Sequence, residues 1–283
     1  MAADNKPLAV GCTFSRGPRP HFCSDGDLMK NTSRRILVLY SVLLGSLLCA
    51  ALLARAQSAT TAPAARRVTT TMPSDGNKRS HAAWYADCEK RIADLKGKPC
   101  DVIFIGDSIT ENFSKLPTAG WDMVGNTVWQ KHYAGRNVLN FGVGADRTEH
   151  VLWRLENMDI KGFHPKVAVI LIGTNNNINT PEDIAAGVKA VIVKTQQVFS
   201  GVKIILISIL PNARATQKME DANKLIAPFG DDKTVFYFDL ASKMPKQGDT
   251  WKGLGRDSLH LTPDGYELWA TEMEPLLTRL LAQ

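Results

Sequence analysis

A serine at the end of a strand, with an aspartate and a histidine three residues apart elsewhere, could make an activated nucleophile. The serine is Ser108, in Phe104-Ile105-Gly106-Asp107-Ser108-Ile109-Thr110. Gly106 permits a tight exit from the strand. Ser108 then falls where the next helix begins, its Oγ at the sheet edge and its N–H among the unsatisfied donors of a helix start. The alternative is a serine that only caps that helix. A serine nucleophile needs a base, and the base needs an orienting group. Both occur in Asp257-Ser258-Leu259-His260-Leu261-Thr262. Asp257 would accept from one ring nitrogen and fix the tautomer, leaving the other nitrogen for Ser108. His81, His132, His150 and His164 have no acid so placed, and His150 reads as a packed or surface residue of a helix.

Acyl transfer also needs donors aimed at a developing negative charge. Two segments after apolar runs could supply them. Gly142-Val143-Gly144-Ala145-Asp146 offers backbone N–H groups, and Gly173-Thr174-Asn175-Asn176 offers a side-chain amide.

These segments must be held by something. From residue 81 onward, short apolar runs alternate with helical patterns. The runs are Asp101–Ile105, Asn137–Phe141, Val167–Ile172, Lys203–Leu210 and Val235–Leu240. Most are β-branched and nearly continuous, as strands buried on both faces are. Helices are expected near 109–115, 146–157, 182–199, 216–228 and 263–282, the last opened by Thr262-Pro263 as N-cap and first helical residue. This alternation predicts an α/β fold, a parallel sheet with helices on both faces, whose sites gather at the carboxyl ends of the strands.

Ahead of this region, residues 36–54 form an uncharged apolar run preceded by Lys30, Arg34 and Arg35 and followed by Ala54-Arg55-Ala56. Basic start, apolar middle and small-residue cleavage site make a secretory signal peptide, so export to a periplasmic or extracellular location is expected. An uncleaved anchor is the alternative, because the run is long enough to approach a bilayer core of ~30 Å. Leu48 before Cys49 argues against a lipoprotein anchor. Ser33-Arg34-Arg35 only partly matches a twin-arginine signal. The apolar pattern and the basic start together point to translation from Met29.

The expected division is therefore 1–56 as extension and signal, 57–80 as a flexible Ala/Thr/Pro-rich spacer, and 81–283 as the folded domain. Residues 1–56 carry 7 Lys and Arg against 3 Asp and Glu, and the rest 27 against 25. The excess positive charge is thus concentrated in the leader, which argues against a nucleic-acid surface. Membrane contact is expected only through an uncleaved leader. Cys88 and Cys100 could pair in an exported protein, but two separate buried thiols are the favoured reading. No His or further Cys stands at metal-ligand spacing around them.

With all blocks in order, the chain resembles the GDSL/SGNH hydrolase superfamily over residues 81–283. The blocks are Gly106-Asp107-Ser108, Gly173-Thr174-Asn175-Asn176 and the D-x-x-H of Asp257 and His260. The stretch NFGVGADRTEHVLWRLENMDI, residues 140–160, followed by GTNN resembles the branch containing platelet-activating-factor acetylhydrolase catalytic subunits and bacterial relatives. The resemblance implies a flavodoxin-like three-layer α/β/α sandwich with a five-stranded parallel sheet, and ester hydrolysis without metal or cofactor. It implies Ser108 as nucleophile, His260 as base and Asp257 as its partner. It also implies an oxyanion hole from the N–H of Ser108, the N–H at 145 and Asn175. The family's oxyanion glycine is Ala145 here. Its N–H survives the change, but a positive φ there would be strained, and Gly144 or Gly142 would then be the candidate donor. Asn176 stands where many relatives have Asp.

No insertion suggests a lid or lipid tunnel, so a short acyl group is expected. Trp121, Trp129 and Trp251 fall in expected loops and could stack on a sugar, whereas Trp153 reads as core. The expectation is a serine esterase that removes acetyl groups from carbohydrate or similar small-molecule esters. The alternatives are a lysophospholipase-like lipid acylhydrolase or an O-acyltransferase.

Overall fold

The computed structural model describes residues 69–76, 81–160 and 162–283. The expected signal, its cleavage site and the Met29 start lie outside the described residues. Five parallel strands form the main sheet: β1 (Val102–Gly106), β2 (Val138–Gly142), β3 (Val167–Leu171), β4 (Lys203–Ile207) and β5 (Val235–Phe238). Their order is β2-β1-β3-β4-β5. The chain steps from β1 to one side and then returns to the other, so the topological switch lies between the carboxyl ends of β1 and β3.

Alternation along each strand divides the core in two. Ile103, Ile105, Phe141, Ala168, Ile170, Ile204 and Leu206 face one layer. That layer is built by α1 (His81–Leu95), α4 (Thr148–Asn157), α5 (Pro181–Val198) and α6 (Thr216–Ile226). Val102, Phe104, Val169, Leu171, Ile205 and Ile207 face the other. Its helices are α2 (Ser108–Phe113), α3 (Asn126–Tyr133) and α8 (Pro263–Leu281). The three-layer α/β/α sandwich is as expected. A short helix, α7 (Leu240–Lys243), and a small antiparallel pair, β6 (Lys246–Gln247) with β7 (Thr250–Trp251), follow β5.

Two expectations need correction. The first concerns α3, where the sequence predicts a loop. Its sequence NTVWQKHY has only Val128, Trp129 and Tyr133 to bury and begins at Gly125 without a side-chain cap. Its helix is stabilised by packing: Trp129 sets its ring edge-on to Phe104 at 5.2 Å and to Phe113 at 5.4 Å. Trp129 is therefore core and not a sugar platform. Trp153 is half-buried and packs edge-on to Trp84 at 5.3 Å.

The second correction concerns the spacer. Residues 57–68 and 77–80 lie outside the described residues, but Thr69–Thr71 form a 3-10 turn packed on the domain. Thr70 is fully buried. Its Oγ1 donates to the Asp183 carbonyl at 2.6 Å, and its carbonyl accepts from Thr148 Oγ1 at 2.9 Å. A side chain at Gly187 would sit 2.9 Å from the Thr70 Cβ, so this glycine permits the approach. The segment is held by polar bonds rather than apolar burial, which is why its composition read as unstructured.

The thiols follow the favoured reading of two separate cysteines. Cys88 is buried and Cys100 only partly so, and neither is in a disulfide. Burial pushes the Cys100 thiol up to about 12, which keeps it protonated and a poor nucleophile.

Candidate active site

The turn carrying Ser108 follows β1. Gly106 is required there because a Cβ would collide with Thr110 Oγ1 and the Leu171 carbonyl. Asp107, not Ser108, caps the next helix: its Oδ1 accepts from Ile109 N–H at 2.9 Å. Ser108 is thereby the first helical residue, with its hydroxyl left for other work. The Asp107 carboxyl is fully buried, and burial pushes it up to about 7, against the Ile109 bond and the nearby positive charge of Arg214.

The candidate base, His260, arrives from far along the chain. His260 Nε2 lies 2.9 Å from Ser108 Oγ, and His260 Nδ1 lies 2.6 Å from Asp257 Oδ2. The other Asp257 oxygen accepts from the N–H groups of Leu259 and His260 at 3.1 and 3.0 Å. Partial burial alone would raise the Asp257 carboxyl; the bonds from His260 outweigh it and hold the group below the usual carboxylate range. An ionised Asp257 fixes the proton on Nδ1 and leaves Nε2 to accept from the serine. The turn closes with Ser258 at φ 51°. Behind it, Tyr266 donates to the Ile109 carbonyl at 2.7 Å and pins α8 to α2. Thr262 and Pro263 open α8 as the sequence reading expects.

In the loop after β2, most N–H groups are already engaged. Gly142 N–H donates to Asn140 Oδ1 at 2.9 Å, Val143 N–H to the Gly106 carbonyl and Asp146 N–H to the Val143 carbonyl. Ala145 N–H has no such partner among the described residues. Ala145 adopts φ 66°, a left-handed conformation that costs a residue with a Cβ about 1–2 kcal/mol. The expected donor is thus left without a backbone partner, and in the strained conformation. The fallback at Gly142 is excluded because its N–H is taken.

What holds that loop was not foreseen. Asp146 and Arg154 are both fully buried, with Arg154 Nε 2.8 Å from Asp146 Oδ2. Arg154 also donates to the Phe141 carbonyl at 2.8 Å, and its guanidinium lies 4.3 Å from the Phe141 ring centre. Trp84 Nε1 donates to Asp146 Oδ1 at 2.7 Å. Both charges lie within the stretch 140–160 singled out above, but no spacing rule pairs residues eight apart with a tryptophan from a preceding helix.

The loop after β3 completes the set. Asn175 Nδ2 donates to the Asp146 carbonyl at 2.9 Å and makes a longer contact of 3.4 Å to Asp107 Oδ2. Its Oδ1 faces Arg214 Nη1 at 3.5 Å. The neighbouring Asn176 has a structural role. Its Oδ1 accepts from Thr148 N–H and its Nδ2 donates to Glu149 Oε2 at 3.0 Å. An aspartate there would set two carboxylates against each other, so Asn fits beside Glu149.

His150 is fully packed, as its helical placement suggested. Its Nδ1 accepts from Arg147 N–H at 3.0 Å. Burial, with Arg147 and Arg154 nearby, pushes it down to about 3, so it is a neutral helix-start partner far from any acid–base role. Trp121 stands at the site itself, edge-on to the His260 ring at 5.1 Å. Arg256 secures that tip, donating to Asp122 Oδ1 at 2.7 Å and to the Gly120 carbonyl. Trp251 is half-buried and lines a separate cleft of about 380 Å³ with Ile209, Tyr237 and Asp239.

Comparison with known proteins agrees with this geometry. The model of the GDSL-like lipase/acylhydrolase family matches residues 104–268. The chain belongs to that family. This GDSL hydrolase is 29% identical over 206 residues to the platelet-activating factor acetylhydrolase IB subunit alpha1 of Rattus norvegicus, covering 71% of this chain and 84% of the relative. It is 36% identical over 152 residues to the corresponding subunit beta homolog of Drosophila melanogaster, covering 54% and 61%. Among solved structures, it resembles a Bacteroides fragilis protein assigned as an acylhydrolase, with a TM-score of 0.57 at 17% identity over 70% of this chain and 98% of that one. A carbohydrate acetylesterase family member from Sinorhizobium meliloti gives 0.51 at 13% identity over 65% and 100%. The structural likenesses support the fold; the family model and the acetylhydrolase relatives make the chain an ester hydrolase.

Proposed function

We propose that this GDSL hydrolase removes short acyl groups, acetyl first among them, from carbohydrate or similar small-molecule esters through an acyl-enzyme on Ser108. The observation that carries the reading is the unbroken chain from Ser108 Oγ to His260 Nε2 and from His260 Nδ1 to Asp257, at 2.9 and 2.6 Å. It lies at the carboxyl end of β1, beside the switch point where open α/β sheets place their ligands.

The chemistry follows from the atoms. His260 Nε2 takes the Ser108 proton as Oγ bonds to the ester carbonyl carbon. The carbonyl oxygen becomes negative and accepts from the N–H groups of Ser108 and Ala145. The Asn175 amide proton on the 3.4 Å contact to Asp107 turns to the same oxygen, exchanging a weak bond for a charge-assisted one. The tetrahedral adduct collapses, the ester C–O bond breaks, and the proton on Nε2 goes to the departing alcohol. Water, deprotonated by His260, then attacks the acyl-enzyme and regenerates Ser108.

The substrate class rests on Trp121, an aromatic edge beside His260, and on the acetyl chemistry in the names of the acetylhydrolase and carbohydrate acetylesterase relatives. A face of this kind suits the apolar side of a sugar ring. We further propose that the enzyme works outside the cytoplasm, on the strength of the basic start and apolar run at 36–54. Hydrolysis of p-nitrophenyl acetate, butyrate and palmitate by the full chain, with Ser108→Ala as control, tests the reading. Preference for acetate, lost by about 10⁴-fold or more in the variant, is the expected outcome. Rates that rise with chain length would move the substrate to lipid esters. Full activity in Ser108→Ala would refute the nucleophile.

A further inference from the structure

Arg214 is the exposed cation next to the oxyanion machinery, and its surroundings leave it uncommitted. Its backbone is fixed on both sides. Arg214 N–H donates to Asn212 Oδ1 at 3.1 Å, and Thr216 Oγ1 to the Asn212 carbonyl at 2.7 Å. Ala213 N–H donates to the Ser258 carbonyl at 3.0 Å, which stitches this loop to the turn carrying Asp257 and His260. The side chain is exposed and reaches inward only as far as Asn175 Oδ1, at 3.5 Å. Arg91, Arg136, Arg147, Arg154 and Arg256 each have a carboxylate partner. Among the described residues none is paired with Arg214.

The charges around it do not neutralise it. Asp257 is engaged by His260. Asp107 is fully buried, and it feels Arg214 strongly enough for the guanidinium to oppose the rise that burial imposes. Lys218, in the first turn of α6, is bonded through its ammonium to the Asn177 carbonyl at 2.5 Å, two residues beyond Asn175. A guanidinium carries five donors in a planar fork that matches carboxylate and phosphate oxygens. Arg214 gives one nitrogen a marginal contact and leaves the rest of the fork at the mouth of the site.

We propose that Arg214 forms an anion-recognition subsite, so that the preferred substrates are short-chain esters whose alcohol portion carries a carboxylate or phosphate. The inference rests on the short-acyl reading of the same site: a small acyl group has no place for the anion, which must lie on the alcohol. Acidic sugars and glycerol phosphates share this chemistry. Trp121 and Arg214 would then supply an aromatic and a cationic contact beside the same triad.

The test compares matched pairs with the full-length enzyme. One pair is O-acetylated glucuronic acid and its methyl ester; the other is 1-acetylglycerol 3-phosphate and 1-acetylglycerol. The anionic member of at least one pair is expected to have about tenfold higher kcat/KM, the scale of one charge-assisted bond at an exposed site. The pair with the larger ratio identifies the source of the anion. Arg214→Gln should bring the ratio close to one, and Arg214→Lys should keep part of it. Raising salt to about 0.5 M should shrink it in the wild type. Parity for both pairs in the wild type would overturn the proposal. So would a wild-type ratio preserved in Arg214→Gln while both members slow equally, since that is the signature of an arginine that only orients Asn175. Failure of the short-acyl reading is seen separately, as undiminished turnover of the neutral esters by Ser108→Ala or as rates rising with chain length on the p-nitrophenyl series.

Discussion

The turn carrying Asp257 and His260 is closed by its own neighbours, whereas the loop carrying Ala145 is held from outside. In the turn, Asp257 accepts from N–H groups two and three residues on, and Ser258 N–H donates to the Gly255 carbonyl. In the loop, Asp146 is fixed by side chains 8, 29 and 62 residues away, those of Arg154, Asn175 and Trp84. The first arrangement has geometry that local sequence can specify. The second transmits the packing of the core to the loop proposed to supply an oxyanion donor. On that proposal, catalytic competence is exposed to substitutions that never touch substrate.

The largest expected break of this contrast is Arg154→Met. It leaves the Asp146 carboxylate fully buried without its cation, which typically destabilises by about 3–5 kcal/mol. Urea unfolding should show that loss. At temperatures where the variant stays folded, its turnover should fall although Ser108, His260 and Asp257 are intact. Unchanged stability would mean that the buried pair does not hold the loop.

Asp107 sharpens the comparison, since it caps the nucleophile helix and also lies against Asn175. Its carboxyl ionises near 7 in the fold against an ordinary 3.8. The unfolded chain gives up this proton from about pH 4, while the fold retains it until about 7. The Asp107 contribution to stability therefore declines as pH rises through that window. Asp107→Asn keeps an oxygen for the Ile109 N–H and lacks the titration. Its stability relative to wild type should climb between pH 4 and 8 by on the order of 1–3 kcal/mol, measured by thermal unfolding at a series of pH values. A difference that stays flat with pH would refute the raised ionisation.

The smallest effect is at Ala145. Ala145→Gly relieves the left-handed strain but adds freedom to the unfolded chain, so a net gain under about 1 kcal/mol is expected, with turnover preserved. A loss of stability with a displaced oxyanion donor would show that the Ala145 methyl packs usefully.

Much of the architecture was legible because buried parallel strands are written as continuous apolar runs. All five expected strands are present within one to three residues at their ends. The run to Leu210 overshoots β4 because Ser208, Ile209 and Leu210 stay buried after pairing ends, and the run to Leu240 overshoots β5 because it takes in the exposed Asp239 and the first residue of α7. The two segments that bring Ser108, Asp257 and His260 together were legible because a strand exit and a D-x-x-H turn are local features. Arg154 and Trp84 were not, since a buried ion pair is specified by three-dimensional proximity alone. The helix Asn126–Tyr133 was hidden because eight mostly polar residues hold too little periodicity. Thr70 was hidden because it is recognised by hydrogen bonds, to which composition is blind.

The bond between Ser108 and His260 joins residues 152 apart, across four of the five strands of the sheet. A nascent or truncated chain that lacks its last 30 residues has the proposed nucleophile but not the proposed base. Among small domains, such distant closures form late and slow the search for the native state. Recovery of esterase activity after dilution from denaturant would then serve as a clock for the final docking of the C-terminal helix, reporting on a different event from the recovery of helical signal.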